Sequence, residues 1–145
     1  MKEADILLIE DNSTDADLTL RALKQRNINL NILHIEDGAE AIDFIFSQGV
    51  YEERLGKGFP KLILMDLQLP KINGQEVLRK IKESSLAKVI PTVILTSSNH
   101  RKDVIECYQL GANAYMVKPL DFEEYIQQIG KAVDFWIDAN YCPIY

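Results

Sequence analysis

The chain has 145 residues, of which 26% are charged and 47% hydrophobic, and its net charge is −6. This length suits one compact domain with its own core. The acidic balance disfavours a nucleic-acid surface, which needs clustered Lys and Arg. We expect no signal peptide, and no apolar run reaches the roughly 20 residues of a membrane helix. The two cysteines, Cys107 and Cys142, are too few for a disulfide framework and suit a reducing compartment.

We therefore expect one domain over residues 1–145, with a core over residues 4–138 and a short tail over residues 139–145. We expect a cytoplasmic protein with neither a nucleic-acid partner nor a membrane partner. We also expect no effector domain after the last predicted helix.

Short apolar runs alternate with amphipathic stretches along the chain, a pattern typical of βαβ units and a parallel sheet. The runs predict five strands, at residues 6–9, at 29–35, at 62–65, from Pro91 onwards and at 114–117. The first run is apolar throughout, which indicates a strand buried on both faces. The stretches between the runs place apolar residues at helical spacing, so we predict an α/β fold with a helix after each strand.

The first helix is predicted to start at Ser13, because a serine hydroxyl is a favoured N-cap. Asp15 and Asp17 then fall in or near its first turn, where the positive end of the helix dipole favours carboxylates. We therefore interpret both carboxylates as parts of a helix start.

Two later segments have distinct compositions. Residues 49–60 are polar and rich in glycine, and they end in Pro60, which is typical of a long surface loop. The last helix is predicted to start after Asp121, to bury Phe122 and to run towards Trp136.

The predicted strands end in polar side chains. Glu10 and Asp11 follow the first strand, Asp66 the third, and Lys118 the fifth, while the fourth ends in Thr96. Because parallel strands place their carboxyl ends at one edge, where open α/β sheets bind ligands, we expect these groups to converge. Carboxylates packed together repel each other, and they ionise together when a cation screens them. The sequence therefore predicts a divalent-metal site beside a lysine and a hydroxyl, which suits phosphoryl chemistry.

This set of residues resembles the receiver domains of two-component response regulators. The resemblance covers nearly the whole chain and is carried by Glu10–Asp11, by Asp66 with Leu69–Pro70 and Gly74 after it, by Thr96, and by Lys118–Pro119. It implies a flavodoxin-like, CheY-like (βα)5 three-layer sandwich, in which five parallel strands have the order 2-1-3-4-5.

A second set of features resembles a subgroup of single-domain regulators. These features are the longer 49–60 segment, the run at residues 104–108 and the Phe135–Trp136 ending. Members of that subgroup partner phytochrome-type and related sensor histidine kinases in cyanobacteria and other microbes. The resemblance implies a sensor histidine kinase as partner, but it identifies neither the particular sensor nor a downstream target.

The resemblance also implies roles at the site. Asp66 would be the phosphoacceptor, which attacks the phosphorus of a phosphohistidine. Mg²⁺ would be bound directly by Asp11 and Asp66, through water by Glu10, and by the backbone carbonyl of Gln68. Such oxygen ligands suit Mg²⁺, which also retains several waters.

Further roles concern phosphoryl transfer and switching. Lys118 would pair with Asp66 and later with a phosphoryl oxygen, to which Thr96 would also donate a hydrogen bond. Tyr115 matches the aromatic position whose inward rotation accompanies activation in the family. The surface of the fourth helix, fifth strand and fifth helix would then change, and the Lys118–Pro119 peptide bond would be cis.

Two further predictions concern the lifetime of the phosphoryl group and the aromatic residues near the C-terminus. Gln68 and Ser98 occupy the positions that tune the lifetime of the phosphoryl group in this family, and we predict slow self-dephosphorylation. The aromatic residues Trp136, Tyr141 and Tyr145 either cover the domain's own surface or form a dimer seam, because aromatic side chains are enriched at interfaces.

Two other functions compete with a phosphorylation-dependent switch. A phosphatase of the aspartate-nucleophile type also uses Asp, Thr or Ser, Lys and Mg²⁺, but it needs a second Asp two residues after the nucleophile, where this chain has Gln68. A phosphorylation-independent scaffold has no need for a cluster of repelling carboxylates. We therefore favour a signalling switch, which catalyses only its own phosphorylation and dephosphorylation, over an enzyme.

Overall fold

The five apolar runs form one sheet, and helices connect its strands. A computed structural model describes residues 3–27 and 29–144; Met1, Lys2, Ile28 and Tyr145 lie outside the described residues. The elements are β1 (Ile6–Ile9), α1 (Ser13–Arg26), β2 (Ile32–Ile35), α2 (Gly38–Ile45), β3 (Leu62–Met65), α3 (Gly74–Glu83), β4 (Thr92–Thr96), α4 (Arg101–Leu110), β5 (Ala114–Val117) and α5 (Phe122–Val133). Within these ranges, no helix combines the length and apolar character needed to cross a bilayer.

The strands are all parallel and lie in the order β2-β1-β3-β4-β5, which confirms the predicted fold. Ile9 is level with Ile35 on one side and with Met65 on the other. At the far side of the sheet, Thr96 is level with Val117. This register brings the carboxyl ends of β1, β3, β4 and β5 to one edge, where the polar residues follow.

Side chains alternate between the two faces of the sheet and build two hydrophobic layers. Leu7 and Ile63 lie in the layer that packs against α2, α3 and α4. Leu8 and Leu64 lie in the opposite layer, which α1 and α5 cover. Full burial of each such side chain stabilises the fold by roughly 1.5–3 kcal/mol. The two layers together hold the strand ends in fixed relative positions.

Two predicted boundaries are wrong by a few residues. The N-cap of α1 is Asn12, not Ser13, because the Asn12 side chain accepts the Asp15 backbone N–H at 3.0 Å. The second strand begins at Ile32 rather than at residue 29, because Asn31 marks its start: its carbonyl accepts the backbone N–H of Asp5 at 2.7 Å.

The predicted surface loop at residues 49–60 contains a 3₁₀ helix at Gly49–Arg54. The Arg54 guanidinium lies 3.7 Å from the centre of the Phe44 ring and donates to the Phe44 carbonyl at 2.8 Å. The Tyr51 hydroxyl donates to Glu40 at 2.7 Å. These contacts attach the segment to α2, which composition alone does not reveal.

The C-terminal region also differs from its prediction. The α-helix ends at Val133, and a π-helical segment, Asp134–Ala139, follows it. Phe122 is 54% exposed rather than buried, because it lies in the first turn of α5 at the surface. Trp136 packs against the layer that α1 and α5 cover, and Ile144 packs against the opposite layer. The tail therefore lies partly on the domain's own surface.

Helix α3 begins in direct contact with the backbone after β3. The Gly74 N–H donates to the Leu67 carbonyl at 2.8 Å. A Cβ atom at position 74 would lie 2.4 Å from the Asp66 carbonyl oxygen and 2.6 Å from the Leu67 Cα. Such approaches are far inside van der Waals contact. Glycine at this position therefore allows α3 to support the segment that carries Asp66.

We expect Gly74→Ala to lower the free energy of unfolding by about 2 kcal/mol or more, because the added methyl group must displace backbone. Urea unfolding monitored by circular dichroism measures the change. Gly58→Ala is the matched control, since a Cβ there would meet only the Glu3 side chain, at 3.4 Å. Equal stability of the wild type and Gly74→Ala would contradict this packing.

Candidate functional site

The polar residues that follow the strands lie together at the carboxyl edge of the sheet. Glu10 and Asp11 come directly after β1, Asp66 after β3 and Lys118 after β5, while Thr96 ends β4. Exposed fractions are 2% for Glu10, 8% for Asp66, 1% for Thr96 and 9% for Lys118, whereas Asp11 is exposed. Hydrophobic burial of the strands thus carries four polar residues below the surface.

The Lys118 ammonium lies at the centre of this cluster. Its Nζ donates to Glu10 Oε1 at 2.5 Å, to Asp15 Oδ2 at 2.8 Å and to Asp66 Oδ2 at 2.8 Å. An ammonium has three N–H donors, so all of them are used. Burial alone would lower the pKa of Lys118, but the hydrogen bonds with Asp15, Asp66 and Glu10 raise it above its ordinary value. The lysine is therefore a permanent cation.

The Asp66 carboxylate is held by donors on several sides. Its Oδ1 accepts the backbone N–H of Leu67 at 2.6 Å and that of Gln68 at 3.3 Å. Burial acts to raise the pKa of Asp66, but the hydrogen bond and the positive charge of Lys118 outweigh burial and leave this pKa below its ordinary value. Asp66 is therefore ionised at neutral pH.

Glu10 is placed differently from Asp66. Burial raises its pKa to about 7, and the nearby Asp66 charge adds to the effect, while the Lys118 hydrogen bond opposes it. Glu10 and Asp66 therefore compete for one cation, and a second cation would favour the ionised form of both.

A chain of hydrogen bonds connects Thr96 to Tyr115 and to α4. The Ser98 backbone N–H donates to Thr96 Oγ1 at 3.4 Å, and the Ser98 carbonyl accepts the Tyr115 hydroxyl at 2.9 Å. The Ser98 hydroxyl donates to Asp103, in the first turn of α4, at 2.6 Å. Tyr115 is half-buried in this arrangement. A movement of Thr96 would therefore reach both β5 and α4.

The chemistry of the donor set fits a hard divalent cation. Exposed Asp11 lines a groove together with Gln68, beside the buried carboxylates. Within residues 3–27 and 29–144, no three acidic, histidine or cysteine side chains are arranged to ligate one ion together. The predicted direct ligands are two carboxylates, Asp11 and Asp66, with one backbone carbonyl, and oxygen ligands of this kind suit Mg²⁺. Several carboxylates facing one ammonium also leave an excess of negative charge.

The Lys118–Pro119 peptide bond is trans, so the predicted cis bond is wrong. The trans form before proline is intrinsically favoured by about 0.5–1 kcal/mol. With this bond trans, the Lys118 N–H still donates to the Thr96 carbonyl at 2.8 Å, and the side chain reaches the carboxylates.

Two residues that contact this edge were not predicted from the sequence. Asp15 was interpreted as part of a helix start, but its carboxylate binds Lys118. Asp15 lies in the first turn of a helix that starts at the carboxyl edge of the sheet, and this position could have indicated that its carboxylate lies near Lys118. His34 Nε2 lies 2.7 Å from the Glu10 carbonyl oxygen, a contact between neighbouring strands that no local pattern indicates.

We expect Lys118→Met to lower the free energy of unfolding by about 3 kcal/mol without divalent cations, because buried carboxylates lose their counter-charge. Excess MgCl2 should reduce the loss by supplying positive charge. Thermal and urea unfolding with EDTA and with MgCl2 measure both effects. Lys102→Met, at an exposed position of α4, serves as the control and should change little. Unchanged stability of Lys118→Met in EDTA would disprove the role of the ammonium.

Comparison with known proteins agrees with this geometry. The response regulator receiver domain model matches residues 6–130. The chain is 36% identical over 138 residues to the probable methanogenesis regulatory protein FilR2 of Methanothrix harundinacea, covering 95% of this chain and 86% of that protein. It is 37% identical to response regulator Rcp1 of Synechocystis, covering 95% of this chain and 92% of Rcp1.

Solved structures give the same result. The phosphorylated cyanobacterial phytochrome response regulator RcpA superposes with a TM-score of 0.90 at 32% identity, covering 98% of this chain and 99% of RcpA. The Mn²⁺-bound form of Rcp1 superposes with a TM-score of 0.88, covering 95% of this chain and 97% of Rcp1. The chain therefore belongs to the response regulator receiver domain family, in which phosphorylation and Mg²⁺ binding are general features.

Proposed function

We propose that Asp66 is the phosphoacceptor of this response regulator. The observation that supports this most directly is the ion pair of buried Asp66 with Lys118 at the carboxyl edge of the sheet. A carboxylate oxygen of Asp66 forms a bond to the phosphorus of a phosphohistidine, the P–N bond breaks, and the imidazole leaves. The product is an aspartyl phosphate on Asp66.

Mg²⁺ would be held by Asp11, Asp66 and the backbone carbonyl of Gln68, with Glu10 acting through water. The support is the donor chemistry of these residues and the excess of carboxylates at the edge. The ion would neutralise charge on the phosphoryl group. Burial raises the pKa of Glu10 to about 7. The positive charge of the ion would favour the ionised form of this carboxyl group.

Lys118 and Thr96 stabilise the transferred group, since Lys118 already donates to Asp66 and Thr96 is buried at the same edge of the sheet. Lys118 pairs with a phosphoryl oxygen, and the Thr96 hydroxyl donates to another. When Thr96 moves towards the phosphoryl group, the Ser98 backbone moves with it and releases the Tyr115 hydroxyl. Tyr115 then rotates inward, and the surface of α4, β5 and α5 changes.

The phosphoryl donor is a sensor histidine kinase, and we propose a phytochrome-type kinase. The support is the likeness to RcpA, a cyanobacterial phytochrome response regulator, over 98% of the chain. We further propose a cytoplasmic, single-domain switch whose output is contact with a protein target. It is no enzyme towards other substrates, and it loses its phosphoryl group slowly.

Wild-type protein incubated with Mg²⁺ and acetyl phosphate should gain one phosphoryl group by mass spectrometry, because an ionised, positioned carboxylate is available. An autophosphorylated phytochrome-type histidine kinase should transfer its label in the same way. Asp66→Ala should abolish both reactions. Asp17→Ala, which removes an exposed carboxylate from α1, is the control and should react like the wild type. Labelling of Asp66→Ala would refute the assignment.

We propose that the output includes a homodimer through the face of α4, β5 and α5 and the C-terminal aromatic segment. The apolar side chains on this face are substantially exposed: Ile105 43%, Tyr108 51%, Val117 38%, Phe135 52% and Tyr141 98%. Aromatic and aliphatic groups of this kind are enriched at interface centres. Tyr145 belongs to the proposed segment but lies outside the described residues.

Size-exclusion chromatography with light scattering should show a shift towards a dimer when beryllofluoride and Mg²⁺ are added, because the switch alters this face. Ile105→Asp should suppress the shift by placing a charge in the interface. Val50→Asp is the matched control, since Val50 is 86% exposed on the Gly49–Arg54 segment. A monomer under all conditions would exclude the dimer.

A further inference from the structure

Asp15 contacts the site although it follows no strand. Its backbone N–H donates to the Asn12 side chain at 3.0 Å, and its carbonyl accepts the Thr19 hydroxyl at 2.8 Å. The Asp15 carboxylate accepts from Lys118 at 2.8 Å, and the two residues are 103 positions apart in the chain. The position of Asp15 is therefore set by α1, independently of the strands that carry the other carboxylates.

A phosphoryl group on Asp66 would share the Lys118 ammonium with the carboxylates that it now contacts. All three N–H groups of Lys118 are used, so a phosphoryl oxygen can accept from Lys118 only when a present acceptor withdraws. Glu10 is 2% exposed, and its release would leave a buried carboxylate unpaired. The Asp15 side chain is 29% exposed and can be solvated by water instead. Asp66 can pass its own Lys118 hydrogen bond to the phosphoryl group that it carries. Of the two other acceptors, Asp15 is the one that competes with the phosphoryl oxygens for a further hydrogen bond from Lys118.

The negative charge of Asp15 also disfavours a phosphoryl group on Asp66. Asp15 Oδ2 and Asp66 Oδ2 are each 2.8 Å from the Lys118 nitrogen, so they lie within twice that distance of each other. A phosphoryl group adds negative charge at Asp66, close to the Asp15 carboxylate. At such a separation, partly buried charges repel each other appreciably.

We propose that Asp15 is a positioning residue that acts through Lys118 and weakens the phosphorylated state of Asp66. The Asp15 carboxylate holds one donor of the ammonium and opposes the charge of the phosphoryl group. It touches neither the phosphoryl donor nor the reacting phosphorus. This role rests on the proposed function of Asp66 and adds a determinant on α1 of how completely the switch turns on.

Beryllofluoride, which bonds to a carboxylate oxygen and presents fluorines in place of phosphoryl oxygens, tests the role at equilibrium. Its affinity is measured by fluorescence or calorimetric titration at saturating Mg²⁺, so that any change in metal affinity does not contribute. Asp15→Asn should bind beryllofluoride about three to ten times more tightly than the wild type, because one competing charge is removed. Asp15→Ser should do the same, and provides a second variant if Asn impairs folding.

Two controls separate this role from a general effect of charge or structure. Asp17→Asn makes the same charge change at an exposed position of α1 and should leave the affinity within about twofold of the wild type. Asp15→Glu keeps the charge and should restore wild-type affinity. Thermal melts verify that each variant is folded.

The outcomes distinguish the two proposals. If Asp15→Asn and Asp15→Ser bind like the wild type, or if Asp17→Asn shifts the affinity equally, the role of Asp15 is overturned and that of Asp66 stands. If wild-type protein binds no beryllofluoride and takes no phosphoryl group from acetyl phosphate, the proposed function fails, and the role of Asp15 fails with it.

Discussion

The arrangement of the carboxyl edge depends on one buried ammonium. Lys118 holds Glu10, Asp15 and Asp66, which come from three separate segments, at hydrogen-bonding distance of a single nitrogen. Without a cation at this point, carboxylates at the ends of apolar strands would repel each other in a poorly solvated place. The sheet brings the carboxylates together, and the positive charge of Lys118 offsets their mutual repulsion.

The same interaction connects folding to signalling. Because the Lys118 donors are saturated, any anion added at Asp66 must redistribute them, and every partner of Lys118 is affected by that redistribution. On the other side of Asp66, Thr96 is linked through Ser98 to Tyr115 and to α4. If the proposed switch operates, a change at Asp66 extends both to α1, through Asp15, and to the surface of α4, β5 and α5.

The sequence predicts those features that are local or periodic. Apolar runs bounded by polar residues identify the strands, and the parallel arrangement then places Glu10, Asp66 and Lys118 together. The contact of Asp15 with Lys118 was missed, because an acidic residue in a first turn already has a local explanation in the helix dipole. Phe122 was predicted to be buried and the bond before Pro119 to be cis, and both predictions are wrong. These depend on how the end of β5 enters α5, and no spacing rule describes that geometry.

The outermost strands of the sheet have a consequence for self-association. The two edge strands, β2 and β5, are only four residues long. Short edge strands offer few unpaired backbone amides and carbonyls to a neighbouring chain, which limits edge-to-edge strand pairing between two chains. The proposed dimer would therefore form mainly through side-chain surfaces, so mutations on those surfaces would alter assembly while leaving the backbone pairing of each domain intact.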